Sequence, residues 1–235
     1  MCTVSFVKSH QSIIITSNRD EHKDRLPALK PDVYVLNYIK TLFPKDPKGN
    51  GTWFAFNEFD TVIVLLNGAD EKHSPKATYR KSRGLIVLDM IASTKPLTLW
   101  ESINLKDIEP FTLVLFYEHK LYQLRWNELK KTCIQLDSSQ HHIWSSSTLY
   151  NPEIRNLRQH WFENFTSVSG DIQPSDVINF HTNTYREDIE NGLIINRKNG
   201  VQTKSITQLV ITNDKSTLTH FHPKDKEKSS QIVVL

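Results

Sequence analysis

The chain has 235 residues, a formal net charge of +3 and two cysteines, with 38% hydrophobic and 23% charged residues. That balance is globular and excludes collagenous, low-complexity and wholly disordered classes, and cysteines as far apart as Cys2 and Cys133 do not make a disulfide scaffold. No run approaches the roughly 18 apolar residues of a membrane helix, the longest being Thr61–Leu66 and Gly84–Leu88, so stable membrane insertion is not expected.

Thr3–Val7 and Ser12–Thr16 are short β-branched runs that predict a hairpin at the chain start. Thr52–Phe56 and Val62–Leu66 predict a second pair turning at Asn57–Asp60, after the loop signal Asp46–Gly51. Lys76–Ser93 has a helical rhythm that Pro96 ends, and Leu99–Asn104 predicts a shorter helix. Phe111–Tyr117 and Lys120–Trp126 form the clearest hairpin, with further strands at Thr132–Leu136 and Ile143–Ser145.

Asn151 predicts the cap of a helix from Pro152 to about Thr166, with Leu157, Trp161 and Phe165 on its apolar stripe. Ser175 predicts the cap of another over Asp176–His181. Strands follow near Gln202–Ile211 and Leu218–His222, then a charged break at Lys224–Ser230 and a terminal strand at Gln231–Leu235. Strands pair as hairpins and not through β-α-β alternation, which predicts an α+β fold with antiparallel sheets and helices segregated onto their faces. No Pro/Gly-rich linker or repeat divides the chain, so residues 1–235 are expected to form one domain.

Lys8–Ser12 interrupts any apolar run of signal-peptide length, and the expected compartment is the reducing cytoplasm. Lysines are scattered apart from clusters at Arg80–Arg83 and Lys224–Lys228, and no nucleic-acid-binding signature is present, so no nucleic-acid partner is expected. His220 and His222 would share a strand face, but no third ligand stands at a recognised spacing and no metal is expected. Cys133, in a strand-like run, is expected to be a core thiol.

The chain start carries the chemistry. Met1 precedes a small side chain, so its removal is expected, leaving a thiol and a free α-amine on the same residue, Cys2. An amine of pKa ~7.7–8.0 can take the proton of a thiol of pKa ~8.5 near neutrality, which is nucleophile and base in one residue. The second strand is followed by Ser17-Asn18-Arg19-Asp20-Glu21. In a hairpin this segment returns to the chain start and brings a guanidinium and two carboxylates beside Cys2. Arg19 can lower the thiol pKa and hold a substrate oxygen, and Asp20 or Glu21 can hold the amine.

Met1-Cys2-Thr3 with Ser17-Asn18-Arg19-Asp20-Glu21 closely resembles the NRDE family, also called the transport and Golgi organization family. Further matches run in order: Gly51-Thr52-Trp53-Phe54-Ala55, Leu65-Leu66-Asn67, Lys81-Ser82-Arg83-Gly84, and Thr203-Lys204-Ser205 before Leu209-Val210-Ile211. The resemblance implies an N-terminal nucleophile (Ntn) hydrolase-like fold, a four-layer αββα sandwich of two antiparallel sheets. More distantly it suggests the cysteine amidases of that superfamily, such as bile salt hydrolase and penicillin V acylase, which cleave linear non-peptide amides.

On that resemblance Cys2, Arg19, Asp20 and Asn67 are the catalytic candidates, Asn67 as an oxyanion donor or else as the first residue of an Asn-Gly turn. Asn18, Glu21, Trp53, Ser147 and Lys204 are the supporting or substrate-binding candidates, Trp53 as a pocket wall. Ser146-Ser147 stands where the family has Ser-Asn, and Lys204 stands where it has an arginine. The implied partner is a small-molecule amide or thioester, with no resident cofactor. A second reading, also implied by the resemblance, is a carrier of haem or a lipid-like hydrophobic metabolite, without turnover.

Overall fold

The computed structural model describes residues 2–168, 170–223 and 229–232, with the backbone alone for Cys2 and for 229–232. In chain order the strands and helices are β1 (Cys2–Lys8), β2 (Ser12–His22), β3 (Asp32–Leu36), β4 (Ile39–Phe43), β5 (Phe54–Asn57), β6 (Val62–Asn67), α1 (Arg83–Ile91) and α2 (Pro96–Ser102). They continue with β7 (Phe111–Tyr117), β8 (Lys120–Trp126), β9 (Lys131–Leu136), β10 (His142–Ser145), α3 (Pro152–Val168), α4 (Pro174–Asn183), β11 (Val201–Thr212), β12 (Ser216–Phe221) and β13 (Ser229–Ile232). Two antiparallel sheets with four helices make an α+β chain, as the hairpin pattern predicts.

The chain divides into two compact units, one formed by Met1–Arg25 with Ser139–Leu235 and the other by Leu26–Ser138. In the first, six strands lie in the order β10-β1-β2-β11-β12-β13. Its α3 packs on β10, and its α4 on β2 and β11. The core beneath the helices joins Val7 and Ile14 of the sheet to Trp161 and Phe162 of α3 and Val177 and Phe180 of α4. Each such side chain contributes about 1.5–3 kcal/mol by leaving water. Asn151 caps α3, its Oδ1 accepting the Ile154 N–H at 2.9 Å.

The apolar stripe of α3 is set one residue away from the expected one. Leu157 is 40% exposed, whereas Arg158, Trp161 and Phe162 are buried. A guanidinium occupies the stripe because carbonyl and hydroxyl acceptors meet it there, as described below. Helix α4 begins earlier than expected: Pro174 takes the first turn, and Asp176 Oδ2 accepts the Gln173 N–H at 2.9 Å. The expected charged break lies partly at 224–228, outside the described residues, as do 233–235 of the expected terminal strand.

The second unit is a seven-stranded meander in sequence order, β3 to β9. Strands β6 and β7 are buried almost throughout, and α1 covers β5 and β6 with Ile86, Val87, Met90 and Ile91. Helix α1 starts at Arg83 and not near Lys76. The preceding segment is pinned in irregular form: the Arg80 N–H donates to the Asp107 carbonyl, and its guanidinium to those of Asn104 and Lys106. Pro96 opens α2 at its first helical position and is a start signal, not a stop.

The start of α1 lies so close to Gly51 that a Cβ there would come within 2.3 Å of the Gly84 carbonyl carbon. The two matched motifs thus meet glycine to glycine. The hairpin β3–β4 lacks a glycine signal: Asn37 and Tyr38 take positive φ of 47° and 67°, the paired left-handed conformation of a tight two-residue turn.

Candidate functional site

The register of β1 on β2 sets Cys2 opposite Arg19 and Thr3 opposite Asn18. Strand β2 runs to His22, so Ser17–Glu21 belongs to the strand and does not follow it. The segment stays extended because β11 pairs with it along its length: Thr203 opposite Asp20, Ser205 opposite Arg19 and Thr207 opposite Ser17, with a bulge at Lys204. Opposed residues share a face and successive residues alternate. Position 2, Ser17, Arg19, Glu21, Ser205 and Thr207 therefore lie on one face. Thr3, Asn18, Asp20 and Thr203 lie on the other, with α3 and α4.

On the face of position 2, Arg19 is 4% exposed and its Nη2 is 4.0 Å from Glu21 Oε2. The buried hydroxyls of Ser17 and Ser205 have no hydrogen-bond partner among the described residues. One strand further on, His220 Nδ1 lies 2.8 Å from Thr207 Oγ1, and burial, with His222 and Arg19 nearby, holds its imidazole pKa down at about 3. His220 and His222 are the histidines expected to share a face, and their ring centroids are 5.9 Å apart. Among the described residues no group of three or more His, Cys, Asp or Glu side chains is placed to hold a metal ion.

On the helix face, the buried Asp20 carboxylate accepts two hydrogen bonds, from Tyr150 O–H to Oδ2 at 2.8 Å and from Thr203 O–H to Oδ1 at 2.7 Å. Burial raises its pKa against the lowering effects of Arg158, Thr203 and Tyr150. Arg158 is fully buried with its guanidinium 3.6 Å from the Tyr150 ring centroid, a cation–π contact. It also donates to the Gly192 carbonyl at 2.5 Å, to that of Asn191, and to the Thr3 hydroxyl.

Asn18 lies beside this cluster. Its Nδ2 donates to the carbonyls of His181 at 3.0 Å and Leu193 at 2.7 Å, so Oδ1 faces His181 Nδ1 at 2.7 Å. That arrangement makes Nδ1 the protonated nitrogen, and Nε2 accepts from the Ser5 hydroxyl at 2.7 Å. Burial first, then Arg158, holds the His181 pKa down at about 3.

The sequence reading thus places a guanidinium and two carboxylates together that the strand separates. Arg19 and Glu21 share the face of position 2, whereas Asp20 and Asn18 are fixed on the helix side. Ser147, just beyond β10, is buried, and the Lys204 bulge sends its Nζ to the Lys23 carbonyl at 2.7 Å.

Asn67 and Trp53 belong to the second unit. Asn67 ends β6 opposite Phe111, and only Gly68 after it takes a positive φ, so the pair is a strand end and not a two-residue turn. Trp53 is buried, and its carbonyl accepts the Leu65 N–H at 2.8 Å. Cys133, expected in a core, is exposed on β9, because that strand is the sheet edge. Partial burial and Glu101 raise its thiol pKa, which favours the unreactive protonated form.

The residues missed by sequence reading are Tyr150, Arg158, Thr203 and His181. One signal for Arg158 was available: at 158, 161, 162 and 165 it completes the i, i+3, i+4, i+7 stripe of α3, and a charge on an apolar stripe marks a buried partner.

A comparison with curated proteins finds no significant match. Among solved structures, the C2A mutant of conjugated bile acid hydrolase from Clostridium perfringens superposes with a TM-score of 0.57 at 10% identity, covering 99% of this chain and 92% of that one. The Caenorhabditis elegans N-acylethanolamine-hydrolyzing acid amidase ortholog gives 0.57 at 11% identity, with coverages of 99% and 100%. Penicillin V acylase from Agrobacterium tumefaciens gives 0.51 at 10% identity, with 94% and 83%. These likenesses establish an Ntn-hydrolase-like fold. The model of the Transport and Golgi organisation 2 family matches residues 1–231, and the chain belongs to that family.

Proposed function

We propose that the protein is a cysteine Ntn hydrolase that cleaves a linear non-peptide amide or a thioester through an acyl-enzyme on Cys2. The observation that carries this reading is the register: the matched cysteine opens β1 directly opposite the buried Arg19, with Glu21 and the hydroxyls of Ser17 and Ser205 on the same face. The names of the similar structures, a hydrolase, an acylase and an amidase, support the reaction class.

With Met1 removed, the α-amine of Cys2 takes the thiol proton and the sulfur attacks the carbonyl carbon. A carbon–sulfur bond forms, and the carbonyl electrons move onto oxygen, where a hydrogen-bond donor stabilises them. The intermediate collapses, the carbon–nitrogen bond breaks, and the leaving amine departs with the proton from the α-ammonium. Water then attacks the acyl-enzyme, releasing the acid and restoring the thiol. Arg19 stabilises the thiolate, while Asp20 fixes β2 from the helix side.

Two measurements test this. Intact mass should show the loss of one methionine residue. Iodoacetamide at neutral pH should label Cys2 faster than the exposed Cys133. Retention of Met1, or labelling of Cys2 no faster than that of Cys133, would refute the nucleophile assignment.

A further inference from the structure

Among the described residues the largest fully buried side chain is a charged one, Arg158, and the reaction proposed above does not use it. Placing a guanidinium out of water is costly unless its donors are met and its charge is balanced. Its donors are met by Thr3, Asn191 and Gly192, and its charge is balanced by Asp20 through the Tyr150 ring and hydroxyl. The two strand residues in this chain of contacts, Thr3 and Asp20, stand beside the reacting pair. Thr3 follows Cys2 on β1, and Asp20 follows Arg19 on β2, while Cys2 and Arg19 are register partners. Thr203 ties the same carboxylate to β11.

We propose that Tyr150 and Arg158 are positioning residues, a buried clamp that grips β1 at Thr3 and β2 at Asp20 and so fixes Arg19 against Cys2. The inference rests on the reading of Cys2 as nucleophile. Alternation puts the clamp and the reacting groups on opposite faces of the sheet, so the clamp acts through the backbone. Main-chain pairing holds both strands, β1 between β10 and β2 and β2 between β1 and β11, and the clamp adds side-chain anchors at Thr3 and Asp20. A shift of Arg19 by an ångström weakens its hold on a thiolate and lowers the nucleophile's reactivity. Charged and titratable groups around the clamp are Asp20, Tyr150, Arg197, whose guanidinium lies 4.9 Å from the Tyr150 ring, and His181 on α4.

The experiment is the pH–rate profile of iodoacetamide alkylation at Cys2, read by mass spectrometry with Cys133 as internal reference. Tyr150→Phe removes one hydroxyl and keeps the ring under Arg158. The expected result is a profile displaced to higher pH, with the rate at pH 7 lowered about threefold or more and recovered near pH 9. Gln159→Ala, on the same helix, should leave the profile unchanged. Thr203→Val deletes the other donor to Asp20 and serves if Tyr150→Phe does not fold. A folded Tyr150→Phe protein whose profile superimposes on that of a reactive wild type overturns the clamp and leaves the nucleophile standing. A wild type in which Cys2 is no faster than Cys133 overturns both.

Discussion

His181 should make this protein acid-labile well above the range in which carboxylates titrate. In the unfolded chain a histidine binds its proton near pH ~6.5, whereas in the folded chain burial and Arg158 hold the pKa of His181 down at about 3. Between these values the unfolded state carries a proton that the native state refuses. Stability is therefore fully present above pH ~6.5 and is lost as pH falls toward about 3. At pH ~4.5 the loss from one such group is about 2.7 kcal/mol. His220, also held at about 3, adds a like amount. Together these approach the lower end of the ~5–15 kcal/mol that stabilises a typical domain.

Asp20 works in the opposite sense, since its folded pKa is raised and the native state takes up its proton first. Asp171, held low by Ser9 and His10, stabilises the fold above the ordinary carboxylate range and loses that contribution only as pH falls below it. The assay is urea denaturation of wild type and His181→Gln from pH 7.5 down to 4.5. The variant is less stable at pH 7.5, because glutamine cannot bridge Asn18 and Ser5 as the imidazole does. The gap should narrow by about 2.7 kcal/mol at pH 4.5. Curves that fall in parallel across that interval would refute the assignment of a buried neutral imidazole.

Two further substitutions follow from the packing. Gly51→Ala sets a Cβ 2.3 Å from backbone of the α1 start, where no flexible side chain can give way, and should cost about 3 kcal/mol or more in denaturant unfolding; a cost under 1 kcal/mol would show that the loop yields freely. Asn18→Leu leaves two buried carbonyls and a buried imidazole without their partner and should cost about 3 kcal/mol or more, measured the same way, with lost amide-exchange protection at Leu193 and His181 as its local signature.

Legibility in the sequence followed how strongly each element announces itself through apolar period and turn chemistry. The hairpin of Phe111–Tyr117 and Lys120–Trp126 is seen from two short runs rich in apolar and aromatic residues, although its turn residues Glu118 and His119 carry positive φ without a glycine. The hairpin of β3 and β4 uses the same glycine-free turn. It escapes because its outer strand leaves Val33 and Val35 exposed, so no buried alternation marks it. The second half of β2 is hidden for another reason. Ser17 to Glu21 is wholly polar, and only pairing on both sides keeps such a run extended and buried. Cys133 illustrates the same limit: a strand is legible from composition, but whether it is central or an edge depends on partners distant in sequence.

The tetrapeptide that carries the family likeness is best understood through this pairing. On a strand, four consecutive residues cannot face one site; they face two. Asn18 and Asp20 turn to the helices, where every polar atom named above finds a donor or acceptor: His181, Leu193, Tyr150 and Thr203. Arg19 and Glu21 turn to the face of Cys2. Half of the motif therefore builds the wall and half furnishes the chemistry. The two halves are coupled because a strand cannot shift one face without the other. A substitution at Asp20 thus does not, by a loss of activity alone, assign that carboxylate to the reaction. It must be read beside one at Tyr150, which touches Asp20 and stands on no strand of the reacting face.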